Sequence, residues 1–173
     1  MNNLLPGVSV VIPSFVADAA ELTGDIAATN LGSALASLAE QSLRKDLIEV
    51  LVIFNGTGVS DVGGETTQIE LHESLASRFP KLNIRLLRSL APGAGRARNL
   101  GIASASRRFI TFLDDDDILQ PKYLETGLEN ANDGAITLLP IVDTTDGAST
   151  QDNSLNARIT TCLLYTSPSP RDS

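Results

Sequence analysis

The chain has a single cysteine, Cys162, so no internal disulfide framework can brace it. A reducing, cytoplasmic setting fits that scarcity. It also has a single histidine, His72, in a polar helical stretch with no partner at ligand spacing. It reads as a solvated side chain rather than a metal ligand. Met1-Asn2-Asn3-Leu4-Leu5-Pro6-Gly7 lacks the basic start and long apolar run of a secretory signal. No apolar run approaches the ~20 residues that cross a bilayer, so no membrane span is expected in this chain. An anchor further on in a longer protein would make the domain peripheral to the membrane. Positive charge is scarce as well: 13 Lys and Arg face 21 Asp and Glu, for a net charge of −8. Such a surface repels phosphate backbones, and no basic block or aromatic-basic interleaving offsets it. Nucleic acid is excluded as a partner.

What remains is an ordinary soluble composition, 42% hydrophobic and 20% charged over 173 residues, enough for one domain with one sizeable core. Short apolar runs alternate with helical patterns. Val8-Ser9-Val10-Val11-Ile12 reads as a buried strand that meets a loop at Pro13-Ser14. Leu31, Leu35 and Leu38, with Ala34 and Ala39, form one helix stripe ending near Gln41. Strands are expected at 49–54, 82–87, 109–113 and 135–142, with helices over about 66–78, from the Pro92-Gly93-Ala94-Gly95 loop to about Ala105, and from Pro121 to about Asn130. The alternation predicts an α/β fold, a three-layer sandwich around a mostly parallel sheet. In such sheets ligands gather at the carboxyl ends of the strands. Pro13-Ser14, Asn55-Gly56 and Asp114-Asp115-Asp116-Asp117 all fall there, which marks that edge as the site.

Four consecutive carboxylates repel one another, and a strand end that focuses them invites a divalent cation. Mg²⁺ or Mn²⁺ takes one or two carboxylates and completes its shell with phosphate oxygens, which suits a nucleoside diphosphate. The plainer alternative is a solvated acidic turn at the start of the following helix. One helix upstream, Gly95-Arg96-Ala97-Arg98-Asn99 offers an arginine that could meet a phosphate bidentately, and its small residues permit close helix–sheet packing. A solvent-facing arginine is the alternative there.

Five segments in order then resemble family 2 glycosyltransferases of the GT-A fold: Val8-Ser-Val-Val-Ile-Pro13-Ser14-Phe15, Leu35-Ala-Ser37-Leu38-Ala-Glu-Gln41-Ser, Val50-Leu-Val-Ile-Phe-Asn55-Gly56-Thr57, Ala97-Arg98-Asn99-Leu-Gly101-Ile and Phe112-Leu-Asp114-Asp-Asp116-Asp117. The resemblance spans about residues 8–142. It implies a Rossmann-like half-domain that binds a nucleotide-diphosphate sugar; a UDP-sugar is favoured because the Asn55 amide, donor and acceptor at once, can pair with the edge of uracil. The acceptor would be an unspecified carbohydrate or lipid-linked hydroxyl in polysaccharide or cell-envelope synthesis, and the metal Mn²⁺ or Mg²⁺. By position, Pro13, Ser14 and Phe15 would line the nucleotide pocket, with Phe15 where the family usually has Tyr. Asn55 would stand where the family commonly has an Asp that meets the base. Arg98 would lie near the diphosphate, Asp115 would face the ribose, and Asp116, helped by Asp114, would hold the metal.

Three departures accompany the resemblance. Phe54-Asn55 replaces the usual acidic pair, the stretch 16–30 is longer than the common loop, and the catalytic base is expected downstream of anything recognisable here. The end of the chain differs in kind, since Cys162-Leu163-Leu164-Tyr165-Thr166-Ser167-Pro168-Ser169-Pro170-Arg171-Asp172-Ser173 resembles translated sequencing-adapter read-through. The expectation is therefore a truncated nucleotide-sugar-binding half-domain over 1–146 and a poorly structured tail over 147–173. Such a chain would bind donor without transferring sugar. Two other readings stay open. One is a nucleotide-binding module without catalysis. The other is a haloacid-dehalogenase-like phosphatase, in which Asp114 would be the nucleophile and Asp116 the acid/base.

Overall fold

The apolar runs fold as neighbouring parallel strands. The computed structural model describes residues 4–15, 29–56, 65–89, 92–132, 137–139 and 162–166. Within them β1 (Leu5–Phe15), β2 (Ile48–Asn55), β3 (Asn83–Arg88) and β4 (Arg107–Phe112) lie in the order β3-β2-β1-β4, all parallel. The helices are α1 (Asn30–Ala39), α2 (Glu65–Arg78), α3 (Ala94–Ser104) and α4 (Tyr123–Glu129). Two short strands, β5 (Thr137–Leu139) and β6 (Cys162–Thr166), extend the sheet as β4-β6-β5 through antiparallel pairings.

Alternation along the strands splits the core between two faces, because successive side chains point to opposite sides. Val8, Val10, Ile12, Val50, Val52 and Phe54 pack with Leu31, Leu35 and Leu38 of α1, Leu71 and Leu75 of α2 and Leu124 of α4. Val11, Leu51, Ile53 and Ile110 pack on the other face with Ala97 of α3. Helices on both faces of a parallel sheet make the three-layer α/β sandwich that the alternation predicts.

Local chemistry explains the details. Thr29 caps α1, its hydroxyl accepting from Gly32 N at 3.2 Å. Gly7 sits at φ 110° where the β1–β4 register shifts, and a Cβ there would lie 2.1 Å from Leu47 O. Only glycine fits that bulge. Gly101 lets α3 approach the sheet, since a Cβ would meet Val11 Cγ1 at 2.3 Å. β1 is longer than expected: Pro13 and Ser14 remain paired with Ile53 and Phe54 rather than starting a loop. Val11 O accepts from Leu113 N, so Pro13, two residues on, turns its missing N–H to the side where β4 has already ended.

Glu49 is a buried carboxylate inside the apolar second strand. Its Oε2 accepts from Ser9 Oγ (2.6 Å) and Ser106 N (2.9 Å), and its Oε1 accepts from Arg85 Nη1 (2.8 Å). Arg85 Nη1 also reaches Ser104 O at 2.9 Å, so one carboxylate ties together β1, β2, β3 and the α3–β4 connection. The knot lies at the amino end of the sheet, opposite the polar edge.

Two expectations need correction. The tail is not uniformly unstructured: Cys162–Thr166 forms β6, with Ile110 opposite Tyr165 and Phe109 opposite Thr166. Its Cys-Leu-Leu-Tyr-Thr run suits a strand, the prolines come only afterwards, and β4 would otherwise present an open edge. Pro121 is not in the first turn of a helix; α4 begins at Tyr123, and Pro121 O instead accepts from Ser42 N at 2.7 Å. His72 is exposed in keeping with a solvated side chain, and its Nε2 lies 3.3 Å from Ile84 O. The long loop expected over 16–30 lies outside the described residues as far as 28, as do 135–136 and 140–142 of the fifth strand and the acids Asp143, Asp146, Asp152 and Asp172. Among the described residues no helix is long and apolar enough to cross a membrane.

Candidate functional site

The carboxyl ends of β1, β2 and β4 and the start of α3 meet at one rim. Ser14, buried at the tip of β1, donates its hydroxyl to Asp115 Oδ2 at 2.7 Å. Asn55, the last residue of β2, is 2% exposed, and both ends of its amide are engaged. Nδ2 donates to Ser14 O at 3.1 Å, and Oδ1 accepts from Gly93 N at 3.3 Å. Gly93, at φ 120°, caps α3, and its carbonyl accepts from Arg96 N and Ala97 N. One turn into that helix, Arg98 Nη2 meets Asp114 Oδ1 at 2.5 Å, with the two side chains 35% and 48% exposed.

After β4 the chain turns sharply, and Asp117 N donates to Asp114 O at 3.1 Å. Asp116 and Asp117 are exposed, and among the described residues no hydrogen bond reaches the Asp116 carboxylate. Partial withdrawal from solvent, followed by the charges of Asp116 and Asp114, pushes Asp117 above the usual carboxylate range. Negative charge is thus concentrated at this turn beyond what Arg98 neutralises.

Among the described residues no three His, Cys, Asp or Glu side chains converge as a ready cation cage. The donor set still fits Mg²⁺ or Mn²⁺, which relies on one or two carboxylates and leaves other positions to phosphate and water. Asp116 is free to serve, and Asp114 could join once Arg98 turns to a phosphate.

The segment that follows the acidic turn is pinned by α1, which the sequence reading did not anticipate. Ser37 Oγ accepts from Leu119 N (3.1 Å), while Gln41 Nε2 donates to Gln120 O (2.8 Å) and Gln41 Oε1 accepts from Leu124 N (3.0 Å). Ser42 N bonds Pro121 O on the same side. The available signal was two polar residues four apart, Ser37 and Gln41, both buried beside the leucine stripe.

Residues 9–167 match the family described as Glycosyl transferase family 2. The chain belongs to that family. Glycosyltransferase AglE of Haloferax volcanii is 29% identical over 139 residues, which cover 80% of this chain and 40% of that protein. The chain spans well under half the length of the curated relatives it matches. The crystal structure of S. aureus TarS superimposes with a TM-score of 0.62 at 22% identity, covering 93% of this chain and 28% of TarS. TarS 1–349 in complex with UDP-GlcNAc gives 0.50 at 22% identity, covering 71% of this chain and 30% of that one. The glycosyltransferase GT-A fold is therefore shared. Within this family 2 chain, Pro13, Ser14, Asn55, Arg98, Asp114 and Asp115 are brought to one rim, Phe15 stands exposed beside them, and Asp116 projects from the turn.

Proposed function

We propose that this chain binds a nucleotide-diphosphate sugar and serves as the donor-binding part of a glycosyltransferase. The observation that carries the reading is the pair of links Ser14–Asp115 and Arg98–Asp114, which set two carboxylates side by side at the mouth of a parallel sheet. Arg98 would exchange its carboxylate partner for a donor phosphate, with planar N–H groups suited to two oxygens. Asp115, fixed by Ser14, offers its other oxygen to a ribose hydroxyl. The exposed ring of Phe15 supplies an apolar face for the base. Mn²⁺ or Mg²⁺ at Asp116, with Asp114, would neutralise charge on the departing diphosphate.

In this reading an acceptor hydroxyl, carbohydrate or lipid-linked, attacks the anomeric carbon and the nucleoside diphosphate departs. A UDP-sugar is the donor to test first, because TarS, which shares the fold, was crystallised with UDP-GlcNAc. A phosphatase nucleophile at Asp114 is disfavoured: the residue follows the fourth strand and is held by Arg98.

Calorimetry on the full chain tests the proposal. UDP should bind more tightly than UMP, and Mn²⁺ should widen that gap. Equal affinities with and without metal would remove the acidic turn from the site. A clear preference for a guanosine diphosphate would overturn the uridine assignment.

A further inference from the structure

The links at the rim close on themselves. Asn55 holds Ser14 through its amide N–H, and Ser14 holds Asp115. Asn55 also holds Gly93, which caps the helix bearing Arg98, and Arg98 holds Asp114, the neighbour of Asp115. From this circuit we propose that Asn55 is a positioning residue for the diphosphate–metal end of the donor site rather than a reader of the base. The inference rests on the donor-site reading above.

The chemistry at position 55 is specific. One side chain must donate to the Ser14 carbonyl and accept from the Gly93 N–H at the same time, and an amide does both. A carboxylate could still accept from Gly93 N, but it would set a second oxygen against Ser14 O. With 2% of its surface exposed, Asn55 also has little left to show a ligand. Its two contacts instead fix the spacing between the tip of β1 and the start of α3. That spacing decides where Asp115 and the Arg98–Asp114 pair stand relative to each other.

The test compares the whole 173-residue chain carrying Asn55 or Asn55→Asp in binding UDP, UMP and uridine, with and without Mn²⁺. Loss of one hydrogen bond with its geometry predicts about a tenfold weaker UDP–Mn²⁺ affinity. Uridine affinity should fall less than UDP–Mn²⁺ affinity does, since uridine touches the circuit only through its ribose on Asp115, while the diphosphate and metal depend on the Arg98–Asp114 pair as well. The Mn²⁺ concentration for half-saturation should rise, and the ranking of uridine, cytidine, adenosine and guanosine diphosphates should stay the same. A uniform loss across UDP, UMP and uridine, or an altered base ranking, overturns the inference and makes Asn55 a base reader. Should Asn55→Asp fail to fold, the unsubstituted ¹⁵N-labelled chain decides. The Asn55 side-chain amide signals should be protected from exchange before ligand is added and should not move when cytosine replaces uracil in the ligand. Unprotected or base-sensitive signals count against the proposal. If the unsubstituted chain binds no nucleoside diphosphate, the donor reading falls and this inference falls with it. A change in base ranking on a chain that does bind would sink the inference alone.

Discussion

Replacing Glu49 by glutamine keeps the size of the side chain but removes its charge and half of its accepting capacity. The carboxylate takes two hydrogen bonds on Oε2, from Ser9 and Ser106, and one on Oε1 from Arg85. In the variant the amide carbonyl can serve Ser9 and Ser106, each bond falling from charge-assisted to neutral strength at about 1 kcal/mol apiece. The amide N–H₂ then faces Arg85, which is 43% exposed and can turn to water, so the third bond adds only a screened fraction of that. The expected loss is about 2–3 kcal/mol, which moves a urea midpoint down by roughly 1 M. Burial pushes the Glu49 carboxyl upward, but the hydrogen bonds from Ser9, Ser106 and Arg85 outweigh it and leave the group below the usual range. A depressed folded-state value stabilises above the unfolded value and is lost as pH falls through the folded one. The gap between the native chain and Glu49→Gln should therefore be full near neutrality and shrink in acid. Urea titrations of both chains across that range provide the measurement. A neutral-pH gap under about 0.5 kcal/mol, or one that persists undiminished in acid, refutes the reasoning.

Gln41→Leu should cost about 2–4 kcal/mol by stranding Leu124 N and Gln120 O, and a thermal-unfolding loss below about 1 kcal/mol would mean that α1 does not anchor this loop. Gly101→Ala should destabilise by about 1–3 kcal/mol through its clash with Val11, with partial recovery on adding Val11→Ala; additive losses in the double-mutant cycle would contradict the close contact. Asp116→Asn should weaken Mn²⁺-dependent diphosphate binding more than Asp117→Asn does, and calorimetry giving the reverse order would move the metal ligand to Asp117.

The strands were legible because doubly buried segments need continuous apolar runs, and the polar rim because those runs end in polar clusters. Ser14, Arg98 and the acidic turn, drawn from three of the segments that carry the family resemblance, do lie together. The buried polar groups were not legible. Nothing in the string Glu49-Val50-Leu51 tells that Ser9, Arg85 and the Ser106 amide will converge on one carboxylate, since these partners come from three other segments. Asn55 was ambiguous for the same reason: an amide suits a base edge as well as it suits two backbone groups, and its contacts to Ser14 O and Gly93 N come from segments far off in sequence. β6 was hidden by its neighbours, because the prolines after it dominate the composition while the five residues that pair do not include them.

The rim is assembled from opposite ends of a long contour. Ser14 and Asp115 are 101 residues apart in sequence, and β1, which precedes β4 in the chain, is completed on one side only when β4 arrives. β1 and β2 can pair early, but until β4 docks the chain has no acidic turn against Ser14. Closure of so long a loop is slow compared with local helix formation. If the rim holds a nucleotide-sugar donor as proposed, its binding belongs to the last stage of folding, and the ligand pulls late intermediates forward by mass action. On that reading the ligand would also be a folding partner.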